Sequence, residues 1–468
     1  MLKNWIFRFW LVLLVSVSGS SYGQTIRMRH YDTTCIRATC RKLVMRHADN
    51  GYPFASVVAD SAVIAGRRRV NVYCSTMLSQ RYRIGNVYML GGAGVSPYYI
   101  YSAAGIAPGT IYNESRVSLS SRRLTALGTV KVLQPTEVEF HPDGAADVYM
   151  YLKNIRTNAA SAGVALNRDI NDGKYFVTGN ILADLRNNFG HGERFYFEWN
   201  GYSRRSQMLD INAQWPYAFN TQVTPEARLN VTKTDTLCLT AQMKAGLGVS
   251  LSPDMEVKAS VDVRRLVFTR DYDHYNDNDD NCSTALYGIG FNCHKAIGND
   301  LHIKIECATS TGTRKTDNGK GSVTEFSSVV EGEIPLLSWA RYEGRWTGMH
   351  TYFANAPDIY ECSPIGGVGS LRGFAYNELR ATSLLTFCNT LRVLLSEGFS
   401  VQAFYDQAFY KCNAFNVDAS DSPFGFGVGA GVKTGAARLD IGWAIGVEHG
   451  RMRPLKDAKT LIIIRLDF

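Results

Sequence analysis

Beyond its first two dozen residues, the 468-residue chain has no long apolar run. No later segment approaches the ~18 consecutive apolar residues of a membrane-spanning helix, so such helices are excluded. The ten cysteines include no Cys-x-x-Cys spacing, which removes the usual zinc signatures. There is no Gly-x-Ser-x-Gly and no His-Glu-x-x-His, and the nine histidines form no catalytic set. The chain is therefore not expected to be an enzyme, and no cofactor is expected. With 45% hydrophobic and 20% charged residues, 42 Gly and 13 Pro, composition alone allows an ordinary globular protein. The length suggests two or three domains.

The N-terminal segment sets the compartment. Lys3 and Arg8 precede the apolar run Phe9 to Val17, followed by small polar residues and Ser21-Tyr22-Gly23. This pattern predicts a secretory signal over residues 1–23. No cysteine follows the expected cut, so no lipid anchor is expected. An exported chain without a spanning helix is either soluble or a closed barrel, because only these satisfy the backbone. The net charge of +8, or +6 without Lys3 and Arg8, is spread along the chain and marks no nucleic-acid site.

An even number of cysteines in an oxidising compartment permits disulfides. Cys282 and Cys293 flank one predicted strand and would lie ~37 Å apart, too far to bridge. Cys35 and Cys40 could pair if the backbone between them turns. Most of the others read as buried or lipid-facing thiols.

Residues 24–80 read as a small α+β module. A helix is predicted over Arg41 to Ala55, stopped by Asn50-Gly51 and Pro53, then strands over Ser56 to Ile64 and Arg69 to Leu78. Residues 81–155 repeat the pattern more clearly. A strand is predicted over Tyr82 to Leu90, with helices over Ser96 to Ile106 and Tyr112 to Leu127. Thr129 to Phe140 and Ala145 to Ile155 then form a hairpin about Pro142-Asp143-Gly144.

From residue 156 the period becomes 2. Phe195, Phe197 and Trp199 alternate with Arg194, Tyr196 and Glu198, and Leu439, Ile441 and Trp443 alternate with Arg438 and Asp440. About sixteen such runs extend from 158–168 to 460–468, and an even count of long runs suits an antiparallel membrane barrel. The longer connections, 271–280, 315–320, 355–378, 413–423 and 451–459, should face outside, with short turns on the other side. The last strand carries Ile464, Leu466 and Phe468 on one face, with Arg465 and Asp467 on the other.

The stretch 366–380, GGVGSLRGFAYNELR, sets apolar anchors around one cation. The third glycine of a phosphate loop would have to stand at 372, which is arginine, so that reading fails. Gly367, Ser370, Leu371, Arg372, Gly373 and Phe374 resemble the G…S-[VL]-R-G-[FY] signature of the outer-membrane assembly superfamily that includes BamA and TamA. The resemblance implies that this is the sixth outside loop, folded into the lumen as a plug over residues 355–380. An enclosed arginine needs an anion. Phe404-Tyr405-Asp406 is similar to the family's F-x-D motif, which implies Asp406 as partner and places Phe404 beside it in the lumen. Glu378 and Glu397 are competing partners.

The β-α-α-β-β order, twice, resembles the POTRA domains that precede the barrel in this superfamily. It implies α+β periplasmic domains followed by an all-β sixteen-stranded barrel over 156–468 in the outer membrane. The implied function is insertion of barrel proteins. Its partners would be unfolded outer-membrane proteins, periplasmic chaperones or accessory proteins, and lipid. The strand pair 158–168 and 460–468 would form a weak seam that templates client strands. A two-partner secretion pore is the alternative, followed by a structural surface antigen or porin.

Two further features stay open or bland. Gly425, Gly427, Gly429 and Gly431 share one face of a strand, either to make room for a packed element or as a weakly paired stretch. The acidic run Asp271 to Asn281 breaks the calcium-loop register and reads as a solvated loop.

Overall fold

The computed structural model describes residues 23–28, 33–64, 70–155, 157–168, 175–203, 205–252, 254–269, 281–297, 301–367, 369–435 and 437–467. The signal segment up to residue 22, the acidic run 271–280 and Phe468 lie outside them. Packing divides the chain into two compact units. One takes in the residues up to Tyr88 with Ile106–Leu119 and Thr136–Tyr149; the other takes in Met89–Gly105, Ser120–Pro135 and the chain from Met150 on.

The first segment contains β1 (Gly23–Met28), α1 (Thr33–Ala48), β2 (Ser56–Ile64) and β3 (Val70–Met77), with sheet order β1-β3-β2. The helix differs from expectation: it starts eight residues earlier than Arg41 and ends at Ala48. Gly51 at φ 94° turns the chain, and Tyr52 N–H closes back on the His47 carbonyl at 3.0 Å. Cys35 and Cys40 both lie on this helix, so no turn separates them. Five helical residues rise ~7.5 Å, beyond disulfide reach. Cys40 packs instead against Cys74.

The second segment contains β4 (Arg83–Leu90), α2 (Pro97–Ala104), α3 (Glu114–Leu127), β5 (Val130–Phe140) and β6 (Ala145–Asn154), with sheet order β4-β6-β5. Its ends follow local chemistry. Pro97 opens α2 and Gly105 closes it at φ 74°. Asn113 caps α3 by accepting the Arg116 N–H at 2.8 Å. Both segments share one strand order, and among the described residues the first has one helix where the second has two.

The rest of the chain is a closed antiparallel barrel. Its first strands are β7 (Ala159–Arg168), β8 (Tyr175–Arg186), β9 (Arg194–Gly201), β10 (Gln207–Gln214) and β11 (Val223–Thr234). Longer ones follow: β12 (Cys238–Ser252), β13 (Met255–Phe268), β14 (Cys282–Ile297), β15 (Leu301–Thr316), β16 (Gly319–Leu337) and β17 (Ala340–Phe353). A small pair, β18 (Ser363–Ile365) and β19 (Leu379–Ala381), lies within the following loop. The wall resumes with β20 (Ser383–Leu394), β21 (Phe399–Ala414), β23 (Phe424–Thr434), β24 (Ala437–Glu448) and β26 (Lys459–Asp467). Two short strands, β22 (Val417–Asp421) and β25 (Arg451–Met452), extend hairpins from β21 and β24. The sixteen long strands close where β26 pairs with β7 over eight residues, from Thr460↔Leu166 to Asp467↔Ala159.

Alternation sorts side chains as the pleat demands. Phe195, Phe197, Val261, Val263, Ile441, Trp443, Ile464 and Leu466 are exposed on the outside of the wall. Polar partners meet on the inner face, as where Arg194 and Arg186 both grip Asp184 at 2.7 Å.

Two expected connections differ. The stretch 315–320 is not a long loop: β15 and β16 pair through Thr316↔Gly319 and turn at residues 317–318. The stretch 413–423 is likewise mostly the β21–β22 hairpin. Past the plug the strand breaks at Thr382, where β19 turns to the small loop sheet and β20 joins the wall. The two hairpins are rich in Asn, Asp, Ser and Lys, so a polar ladder continuing into water looks like a loop in sequence.

Candidate functional site

The loop between β17 and β20 folds back on itself before it meets the wall. One 3-10 turn, Ile359–Glu361, opens it; Asp358 accepts the Tyr360 N–H at 2.7 Å, and Glu361 accepts the Asp358 N–H at 2.9 Å. The β18–β19 pair then pinches the base of residues 366–378. Gly366, Gly367 and Gly373 adopt φ of 120°, 90° and 95°, which only glycine takes without strain. The turn is tightened by Leu371 N–H to the Gly367 carbonyl at 3.1 Å, and by Ser370 Oγ, which accepts Gly366 N–H at 2.9 Å. Leu371 and Phe374 are buried, and share a core cluster with Ile365, Ala381 and Ala408.

This frame aims Arg372 at β21. Asp406, with no exposed surface, accepts three hydrogen bonds from that one residue. They come from the backbone N–H at 2.9 Å, Nε at 2.7 Å and Nη2 at 2.5 Å. Nη1 also donates to Thr390 Oγ1 at 3.0 Å, and the guanidinium lies 4.0 Å from the centre of the Phe404 ring. Two buried charges are expensive unless well paired, and here the pairing is bidentate, with Thr390 and the Asn389 carbonyl taking further donors. The structure thus brings Gly367, Ser370, Leu371, Arg372, Gly373 and Phe374 together with Phe404 and Asp406. Glu397 stays exposed in the turn between β20 and β21.

The glycine face has a defined use at two positions. A Cβ on Gly425 would fall 1.7 Å from the Arg372 carbonyl oxygen, and one on Gly427 would fall 2.4 Å from the Phe404 ring. Gly425 makes room for the loop and Gly427 for the ring beneath the arginine.

Further ties were not apparent from sequence. Glu361 receives a bidentate pair from Arg314 of β15, with both bonds at 2.6 Å. Glu378, a competing partner for Arg372, pairs instead with Arg453 at 2.7 Å, and Arg453 also holds Glu448 and sits 4.2 Å over Phe374. Tyr376 donates to Met208 Sδ at 3.3 Å on β10 and packs against Tyr202. The Asp-x-x-Glu spacing of the capping box was a usable signal for Glu361; its partner Arg314, 47 residues earlier, was not. On β26, Ile464 and Leu466 face outward beside the β7 junction.

A sixteen-strand closed barrel whose lumen receives a pinned loop is an outer-membrane-type β-barrel. Two solved CdiB structures share this fold. CdiB from Acinetobacter baumannii is similar with TM-score 0.63 at 14% identity, covering 93% of this chain and 82% of that one. CdiB from Escherichia coli is similar with TM-score 0.63 at 12% identity, covering 94% and 85%. BamA from Haemophilus ducreyi lacking POTRA domains 1–3 aligns with TM-score 0.46 at 13% identity over 93% and 94%. No family model and no curated protein matches the sequence.

Proposed function

We propose that this chain inserts β-barrel client proteins into the bacterial outer membrane. The α+β segments, read as periplasmic POTRA-like domains, receive unfolded clients and accessory proteins. The barrel then delivers clients sideways into lipid at the β7–β26 junction. One observation carries this reading: the wall is uneven in height. β9 and β10 have 8 residues each and β26 has 9, whereas β14 and β15 have 16 and β16 has 19. At ~3.4 Å per residue and a tilt of about 40°, the nine residues of β26 span roughly 23 Å of membrane normal, short of the ~25 Å apolar band of such barrels. Lipid beside the junction is then thinned, which lowers the barrier to a client strand. The pinned loop meanwhile occupies the lumen, which favours a lateral route over one through the pore.

The second reading is export of a dedicated protein, as in a two-partner secretion pore. It is favoured by the likeness to CdiB, a pore of that kind, over more than nine-tenths of this chain. Depleting the protein and quantifying the outer-membrane proteome separates the two. Loss of many unrelated barrel proteins supports insertion. Loss of one secreted protein with barrels unchanged supports export, and no change in either sinks both.

A further inference from the structure

We propose that Cys362 and Cys412 form a disulfide that fastens the plugging loop to the barrel wall. Both side chains are 2% exposed and share one buried cluster with Ala414, packed against Ile359, Val417 and Ala419. Cys362 Sγ also donates to the Asp358 carbonyl at 3.6 Å, which holds it at this spot. The backbone explains the meeting. Pairing of Ser363 with Ala381 places Cys362 beside Thr382. Thr382 N–H donates to the Lys411 carbonyl at 2.8 Å, and its hydroxyl accepts the Asn413 N–H at 3.2 Å, so it straddles Cys412. A loop residue and a wall residue therefore meet through β18, β19 and β21, with nothing flexible between them. Thiols already in contact need little movement to reach the ~2 Å of an S–S bond.

Two other thiols are otherwise engaged: Cys388 donates to the Ser370 carbonyl at 2.9 Å and Cys282 to Glu361 Oε2 at 2.9 Å. A second contacting pair, Cys40 and Cys74, lies in the first segment and ties nothing to the loop.

The oxidant is a disulfide, from a small molecule or a protein donor. The Cys412 thiolate attacks one donor sulfur, a mixed disulfide forms, and the other donor sulfur leaves as thiolate. The Cys362 thiolate then attacks the Cys412 sulfur and expels the second donor thiolate. Two electrons pass to the donor, and the two protons lost by the cysteines end on its sulfurs. Burial pushes the seated Cys362 thiol well above its ordinary range, so thiolate is scarce once the loop is docked. The bond accordingly forms as the loop arrives, and burial then shields it from reductants.

This staple needs an oxidising compartment and so rests on the outer-membrane placement proposed above. With the bond closed, the plug cannot leave the lumen, while the β7–β26 junction remains free to open.

The test is thiol mapping of the full chain. Cells are quenched in acid, unfolded protein from the outer-membrane fraction is alkylated, reduced, and alkylated again with a heavier reagent. We expect the Cys362 and Cys412 peptides to carry the second label, and the unreduced digest to contain them joined at their summed mass less two hydrogens. In Cys362→Ser, Cys412 should move to the first label. First label on both cysteines of the unaltered protein would overturn the staple and leave the barrel reading intact. Absence of the chain from the outer-membrane fraction would overturn the placement, and the staple with it. The unaltered protein alone decides the outcome if the variant does not fold.

Discussion

Gly425 and Gly446 stand opposite each other on β23 and β24, and the turn from Arg372 to Phe374 lies against both. A Cβ on Gly446 would come within 2.7 Å of the Phe374 ring, just as one on Gly425 would strike the Arg372 carbonyl. The loop is therefore seated on bare backbone. Gly425→Val should unseat it at a cost of about 1–3 kcal/mol, typical of overpacking. Protease cleavage within 366–378 should then quicken on the order of tenfold, since 1.4 kcal/mol is a factor of ten. Gly369→Ala is the control, because a Cβ there meets nothing within 4 Å. Equal cleavage in both variants would show that the seat is unimportant.

Arg372 and Asp406 should behave as one unit. Removing either leaves the other buried and unpaired, at a cost of about 3–5 kcal/mol. Arg372→Ala and Asp406→Ala should each impair function, and the double variant should be little worse than either. Arg372→Lys should not rescue, because an ammonium cannot reproduce the forked contact. Additive losses in this cycle would disprove the coupling.

The Glu361–Arg314 pair holds the opposite end of the loop, with both side chains about one-tenth exposed. Glu361→Gln should free residues 355–365 while leaving the Arg372 contacts in place. Hydrogen exchange is the measurement: faster exchange at Tyr360, where Asp358 caps the turn, with Leu371 still protected. Simultaneous loss of protection at both would mean that the two clamps are a single cooperative element.

Ala162 and Ile464 face each other across the barrel closure. Replacing both by cysteine and oxidising should bar lateral opening. Client insertion should stop and return on reduction, whereas export through the lumen should continue. Insertion undiminished with the cross-link formed would remove the seam from the mechanism.

In the second segment, Asn86 N–H donates to Asp147 Oδ1 at 2.7 Å, and this bond holds the carboxyl below the usual carboxylate range. A depressed folded pKa stabilises above the unfolded value of ~3.9, and that stabilisation disappears as pH falls through the folded pKa. Thermal melts from pH 6 to 2.5 should therefore show a steeper acid loss in the unaltered chain than in Asp147→Asn. Parallel acid limbs would refute the assignment.

Much of this was legible from side-chain pattern, and the reasons are physical. A strand between lipid and lumen must alternate, so the Phe195 and Ile441 rows disclosed the wall. Asp406 was legible through the F-x-D resemblance, and because a buried arginine demands an anion. Arg314 and Arg453 were not, since each is one cation among many on polar faces and only the closed register brings it to its glutamate. The hairpins past the membrane were hidden too, because in water nothing forces their strands to alternate.

Among the plug's contacts with the wall, three lie far apart: β15 through Glu361, β21 to β24 through Arg372 and Phe374, and β10 through Tyr376. Three struts fixed around a ring form a brace. A cylinder so braced cannot be squashed into an oval by lateral pressure from the bilayer without shortening at least one strut. Deformation of the whole wall and retraction of the loop are thus one mechanical event, and a load on any strand of the ring is shared among all three.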